Sequence, residues 1–526
     1  MSGLVRIGQD DFGAGVLRGV APDVQYGVGL FNAENGLFND DGDVYRRGGG
    51  SYFSGAVYTP LSFIWTGYLN LQAKMLIGSP NQWYGVTGPV VVPPVTPTAL
   101  GGLGTQIPIV PAIVMNKVYL PNGVKWDGGA AVGNWVVPSS LPAGQRYLCA
   151  AAGRLLVAAG NRIAFSVPNE PENFVVDDFH DLPGGVLVKG MTAIRDTAFV
   201  FTNYGLYTIS NLAFDLTDAQ GNPQQTLQLL SPEISLWGET GLASWSGQIV
   251  APCADRVFLI DGLSAPVSLS DSIASIYMSY LQAGYYLGGA KVYRNHYFLP
   301  IIEPTTRDVA ALLVCRLNRP VRGRNLYFPW TVITGHSAQT VMMDFALVAQ
   351  RPRLIGAHRD GHLVDLSAFL QPDERQTDAD ATTYTFDVET RDFATGTGQP
   401  NHVRAVRLRY TAKGEGSVLA GVAIGTQSQR YEDLLPRTYA EVKTEFTDYG
   451  EVLRGHVPAS GLPPNPADPD RYWYSLGTTE LKTPGVEPIT WRLTGAKRAR
   501  FVRMRLRSTD AFQLVVHHVD FSIRRA

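Results

Sequence analysis

One short grammar recurs along the first two thirds of the chain: an apolar strand, a polar turn, then a second apolar strand ending in a small residue. It is clearest in "RLLVAAGNRIAFS" (154–166), "TAFVFTNYGLYTIS" (197–210), "DRVFLIDGLSAPVSLS" (255–270) and "PRLIGAHRDGHLVDLS" (352–367). "AKMLIGSPNQWYGV" (73–86) and "AIVMNKVYLPNGVKWDG" (112–128) fit more loosely, and strands such as "AKVYRNHYFLPI" (290–301) lie between. Hairpins that return every roughly 40–60 residues, with two further strands between them, are how propeller blades read in sequence. A single hairpin cannot bury its apolar face alone, so such units must stack on one another. The fold expected over 51–370 is a degenerate six-bladed β-propeller. It is degenerate because Trp126-Asp127 occurs once rather than in every unit, and the Asp-box of sialidases is missing.

Composition agrees with short strands and tight turns. Of 526 residues, 55 are Gly and 34 Pro, aromatics reach 10% and charged residues only 17%, below the usual quarter. One stretch reads as helix: "SDSIASIYMSYLQAGYYL" (270–287) sets Ile273, Ile276, Tyr277, Tyr280 and Leu281 on one face, a stripe suited to covering a blade edge. The grammar changes after Phe369. A polar, proline-bearing linker leads into longer, cleanly alternating strands, so 371–526 is expected to form an antiparallel β-sandwich. Within it 456–477 is a long Pro- and Asp-rich loop. Loops of that length usually carry function, so Asp468, Asp470, Arg471, Tyr472 and Trp473 are candidate partner-binding residues. Residues 1–50 read as an N-terminal arm and strand entry.

Several chemistries are excluded by spacing. The glycines near residue 48 are followed by no Gly-Lys-Ser/Thr, and no helix follows them, so neither phosphate loop fits. Placing Gly42 at the sixth position of a calcium loop makes Leu37 its first ligand, which cannot coordinate. Cys149, Cys253 and Cys315 stand far apart, which argues against structural zinc or a disulfide framework. In "GAHRDGHLV" a two-residue Asp360-Gly361 turn would pair Arg359 with His362 and send His358 to the other face, so no metal site is expected there. "GHSAQ" (335–339) is not a nucleophile elbow. Carboxylate pairs such as Asp177-Asp178 carry no spacing that identifies a glycosidase. No catalytic residues, metal or cofactor are expected, and the chain is read as a non-enzyme. It begins with no signal peptide and has no apolar run long enough to span a membrane.

The formal net charge is −2, which gives no general attraction to polyanions. Arginines do gather near the C-terminus. In "FVRMRLR", Arg503, Arg505 and Arg507 alternate with Val502, Met504 and Leu506, so one strand face carries guanidiniums and the other apolar groups. They are candidates for DNA phosphate contacts, against a solvated face or salt bridges to a neighbouring subunit, with Asp468 and Asp470 of an adjacent copy as the acidic partners.

Three segments together resemble a known family. "GDVYRRGGGSYF" (42–53), "PVSLSDSIASIYMSYLQAGYYLGGAKVYRNHYFLPI" (266–301) and "KRARFVRMRLRSTDAFQLVVHHVDFSIRR" (497–525) are similar, in that order, to the tail-hub or tail-nozzle proteins of short-tailed bacteriophages, some of them called packaged-DNA stabilisation proteins. The resemblance implies a structural virion protein in the tail, assembled in the host bacterial cytoplasm. It would form a homo-hexamer below the portal and adaptor, carry tail fibres or spikes and line the channel for genomic double-stranded DNA. Arg46 and Arg47 would then be available for subunit contacts. The competing readings are a glycan-binding or glycan-cleaving propeller in receptor recognition, or a minor tail-tip protein of a long-tailed phage.

Overall fold

The computed structural model describes residues 4–9, 12, 14–17, 29–55, 58, 60–86, 93–175, 179–213, 225–262, 264–322, 326–348, 351–371, 375–391, 393–394, 401–413, 416–425, 474–481, 489–499 and 501–524. Strands dominate them, and six self-contained four-stranded sheets follow one another along the chain. The first five run over 63–101, 112–134, 146–181, 188–231 and 243–268. The sixth joins Thr340–Val348, Arg351–His358 and Leu363–Asp365 to a fourth strand, Ser51–Tyr52, supplied from the other end. Each of the six hairpin segments singled out in the sequence lies in a different one of these sheets. The propeller architecture is therefore present.

What makes these segments turn is a shared backbone device. Five first-to-second-strand hairpins bend at residue pairs that both have positive φ: Asn70-Leu71, Met115-Asn116, Ala152-Gly153, Ser246-Gly247 and Arg294-Asn295. Two such residues in succession match the right-handed twist of the strands they join. Innermost strands then pack side by side. Thr340–Val348 lies against Phe63–Leu69, which closes the ring, and Asp344 fixes the joint. Its Oδ2 accepts the Thr66 N–H at 2.8 Å while Oδ1 meets Lys291 Nζ at 2.5 Å.

The strand expected at 290–301 belongs to a seventh four-stranded run: Lys291–Tyr293, His296–Ile302, Val309–Arg316 and Trp330–Ile333. Its first strand packs beside Ala243–Trp245, and Gly289 bridges Met342, so it fills the place between the fifth and last sheets. Unlike the others it does not end at a free edge. Leu30–Glu34 pairs parallel to Trp330–Ile333 and antiparallel to Phe386–Thr390, which extends the run into one eleven-stranded sheet.

That sheet continues through Phe501–Ser508, Gly416–Gly425 and Tyr474–Leu481 and forms one half of the C-terminal sandwich. The other half pairs Gly36–Phe38, Val44–Arg46, Gln513–Arg524, Asn401–Lys413 and Ile489–Ala499, with Leu4–Gln9 along Gln513–Arg524. Val388, Val422, Met504 and Leu506 of the first sheet share one core with Val406, Leu408, Val519 and Phe521 of the second. The expected antiparallel sandwich is there. Of the first fifty residues, read as an arm and strand entry, the described strands are members of both its sheets. The helix is Ala274–Gln282, preceded by a single 3-10 turn. Tyr277 is its buried anchor, donating to the Cys253 carbonyl at 2.7 Å.

Candidate functional site

The two arginines of the "YRRGGG" segment end up inside the molecule, each with no exposed surface. Arg47 Nε donates to Asn35 Oδ1 at 2.7 Å and Nη2 to the Thr334 carbonyl at 2.8 Å. Nη1 pairs with Asp378 Oδ1 at 3.0 Å, and the guanidinium lies 3.6 Å from the Tyr384 ring centre. Arg46 donates to the Tyr384 carbonyl at 2.8 Å, and burial pulls its pKa down. Neither is available to a neighbouring subunit, so that expectation is corrected. Both side chains turn inward because the chain crosses from sandwich to propeller here, and only buried partners lie within reach. The three glycines that follow make the crossing possible. A Cβ on Gly48 would sit 2.0 Å from the Ala368 carbonyl oxygen, and one on Gly49 1.8 Å from that of Thr377.

The C-terminal arginines alternate as expected, with Val502, Met504 and Leu506 buried on the opposite face. Arg503 is itself buried and meets Glu389 at 2.6 Å. Arg505 Nε donates to Asp387 Oδ1 at 2.8 Å, and Arg507 stands opposite Asp387 across the strand pair. These acids sit on Phe386–Thr390, the next strand of the same sheet. The proposed pairing of Arg503 and Arg505 with another copy is corrected accordingly: their carboxylates come from within the chain. Burial raises the Glu389 pKa against the pull of Arg503. Asp468, Asp470, Arg471, Tyr472 and Trp473, like Asp177 and Asp178, lie outside the described residues.

The histidine hairpin also differs from expectation. His358 N donates to the His362 carbonyl at 2.9 Å and Gly361 N to that of His358 at 3.1 Å, so the turn holds three residues, 359–361. His358 and His362 therefore close the hairpin and share a face. Both Nδ1 atoms reach Asp360 Oδ1, at 2.7 and 3.1 Å. His336, from the 3-10 turn His336–Ala338, brings Nε2 to 3.2 Å from Asp360 Oδ2. The two segments "GHSAQ" and "GAHRDGHLV" were each visible in sequence, but nothing in it shows that they meet.

A cavity of about 630 Å³ is lined by Thr105, 107–109, 121–122, 144–147, Lys189, 237–240 and 286–287, mostly segments that lead into successive innermost strands. Its most unusual member is Glu239, in the 3-10 turn Glu239–Gly241. Only 8% of it is exposed, and its Oε1 meets no hydrogen-bond donor. Burial raises its pKa well above that of an ordinary glutamate, although the Met191 backbone N–H opposes the shift. Gly190 leaves room for it, since a Cβ there would lie 2.9 Å from Glu239 Cβ. The Tyr147 hydroxyl is pushed up to about 12 by burial and by Glu239. Arg146, Lys189, Trp237 and Tyr286 complete a wall with cationic and aromatic groups. Such a cavity can take a polar molecule that offers a donor to Glu239 and a flat face to Trp237. No sequence motif marks Glu239; it becomes special only when the blades converge.

No family model matches the chain, and no curated protein matches it. Among solved structures it is similar to the extracellular domain of a hybrid two-component system from B. thetaiotaomicron, with 11% identity and a TM-score of 0.40 over 68% of this chain and 43% of that one. The match thus spans less than half of that neighbour's length. The Neurospora crassa Pan2 WD40 domain gives 13% identity and a TM-score of 0.34 over 62% and 97% of the two chains. An ancestral GH74 enzyme gives 12% and 0.30 over 58% and 56%. These likenesses are distant, and the fold assignment rests on the strand pairing itself.

Proposed function

We propose that the chain is a structural protein of a bacteriophage tail, a hub or nozzle that assembles as a homo-hexameric ring below the portal and adaptor. In that position it retains the packaged genome, carries fibres or spikes and lines the path by which DNA leaves. The observation that supports this most is the stitch at Leu30–Glu34, which makes one sheet of a propeller blade and half of the sandwich. A ring subunit under load must not hinge between its parts, and a shared sheet with a common core resists hinging. The resemblance of the three quoted segments, in chain order, supports the same reading. No catalytic turnover is part of it. The test is labelling and imaging. Antibodies against the purified protein are expected to decorate the tails of virions, and the protein itself to form closed rings in electron micrographs. A protein that stays monomeric and labels no particle overturns the proposal.

A second reading, a glycan-binding propeller, is favoured by the cavity, where Trp237 and Tyr286 stand with Glu239 and Arg146. It predicts binding on a glycan array that falls at least about tenfold in Trp237→Ala, a loss of the size expected for one stacked aromatic. Equal binding by both proteins excludes the cavity as a sugar site.

A further inference from the structure

The ring of the propeller closes where Ser51–Tyr52 pairs with Leu363–Asp365, and the histidine cluster lies at this closure. We propose that His336, His358 and Asp360 form a binding site for a divalent transition metal of the zinc class, a clasp on the closing blade. The ligand atoms of these three residues all lie within 4.8 Å of one another. A tetrahedral zinc with bonds of about 2.0–2.1 Å holds its ligands roughly 3.4 Å apart, so side-chain rotation alone brings the set into register.

The hydrogen bonds decide which atoms face the centre. His358 Nε2 is 2.6 Å from the His336 carbonyl oxygen. A carbonyl only accepts, so Nε2 carries the proton, and a neutral ring then turns the lone pair of Nδ1 toward Asp360. That nitrogen is 2.7 Å from Asp360 Oδ1 and 3.2 Å from the Asp360 backbone N–H. At that distance either a proton on Nδ1 or a metal ion bound by both atoms satisfies the pair, and in the proposed clasp it is the metal. His336 repeats the arrangement. Its Nδ1 is 3.5 Å from Asp380 Oδ2, while Nε2 lies 3.2 Å from both Asp360 Oδ2 and the Tyr52 hydroxyl, which itself donates to Asp360 Oδ2 at 3.5 Å. Each imidazole therefore has an outer oxygen partner on one nitrogen and an inward-facing second nitrogen, the arrangement that metal-binding histidines adopt. His362 Nδ1 lies 3.1 Å from the same carboxylate but is outside the three residues whose ligand atoms converge. Two imidazoles with one carboxylate suit zinc, cobalt or nickel and not calcium or magnesium.

The elements involved explain what the metal would do. Tyr52 belongs to the N-terminal closing strand, His336 and His358 to the last blade, and Asp380 to the chain leaving for the sandwich. Occupancy would tie all three together, whatever the chain's task. The test uses untagged full-length protein, stripped with a chelator and titrated with zinc against a chromophoric competitor. Uptake of about one equivalent is expected, with a rise in melting temperature that neither magnesium nor calcium reproduces. His336→Ala and Asp360→Asn are expected to lose both effects, while His518→Gln, on the far sandwich strand, keeps them. Circular dichroism confirms that each variant is folded. Failure of the folded wild type to take up zinc overturns the proposal in favour of a protonated His358–Asp360 pair. Undiminished uptake by His336→Ala and by Asp360→Asn overturns it as well.

Discussion

Arg47 and Asp378 are both without exposed side-chain surface, so their pair is held by geometry rather than by water. Removing one partner of such a pair leaves a buried charge uncompensated. Arg47→Met is expected to cost about 3–5 kcal/mol in urea unfolding. Arg47→Lys should recover little of it, because an ammonium cannot reproduce the fork that meets Asn35, Thr334 and Asp378 together. His296 gives the pH prediction. Burial lowers its pKa to about 4, opposed by its bond to the Arg294 carbonyl, with Arg316 lowering it and Asp40 raising it. The unfolded chain binds that proton near pH 6.5 and the folded chain only near pH 4. Stability from this site is therefore full above pH 6.5 and falls as the pH drops toward 4, by about 3 kcal/mol in all. His296→Asn, which can still donate to Arg294, should flatten that part of the stability profile; an unchanged slope would assign the acid sensitivity elsewhere. The role of the arginines was not legible in the sequence for a physical reason. Arg503 finds Glu389 more than a hundred positions away, and only strand register tells a solvated arginine from a paired one.

Hairpins were the most legible elements, because alternation and turn residues act over a few positions. The turn lengths were less so. At 358–362 a three-residue turn replaces a two-residue one, and that single residue puts His358 and His362 on the same face. A one-residue change in register reverses which face a side chain occupies. The hairpins with two positive φ angles offer a direct check. Leu71 sits at φ 62° with 96% of its surface exposed, so it pays the left-handed strain of an L-residue without burying anything in return. Leu71→Gly turns the pair into Asn-Gly, the preferred sequence for this turn, and should stabilise the protein by about 1 kcal/mol. Thermal unfolding measures it, and a lower melting temperature would mean that Leu71 packs against something in the working assembly.

On the scale of the whole molecule, two parts were expected, divided near Phe369, with an arm in front. That division follows the change in sequence grammar, but hydrogen bonds cross it. The crossing strand, Leu30–Glu34, meets its neighbours about 300 positions ahead on one side and about 360 on the other. Local patterning cannot show such pairings, since the strand reads the same whichever partners it finds. Its consequence can be tested by cutting the chain. A fragment spanning 51–370 holds every strand of the six self-contained sheets but loses both Leu30–Glu34 and Phe386–Thr390. It also loses Leu37, Tyr45 and Ala379, which share a core with Phe298, Leu312 and Ile333. Trp330–Ile333 would become an exposed apolar edge, a template for aggregation. The fragment is therefore expected to be insoluble, or to exchange the amides of Val309–Arg316 and Trp330–Ile333 rapidly where the full chain protects them. Restoring 1–50 alone should not suffice, because Arg47 would still lack Asp378 and Tyr384. If 51–370 folds alone with the melting temperature of the full chain, the propeller is an independent domain and the stitch contributes no rigidity, which removes the main structural support for a load-bearing ring subunit.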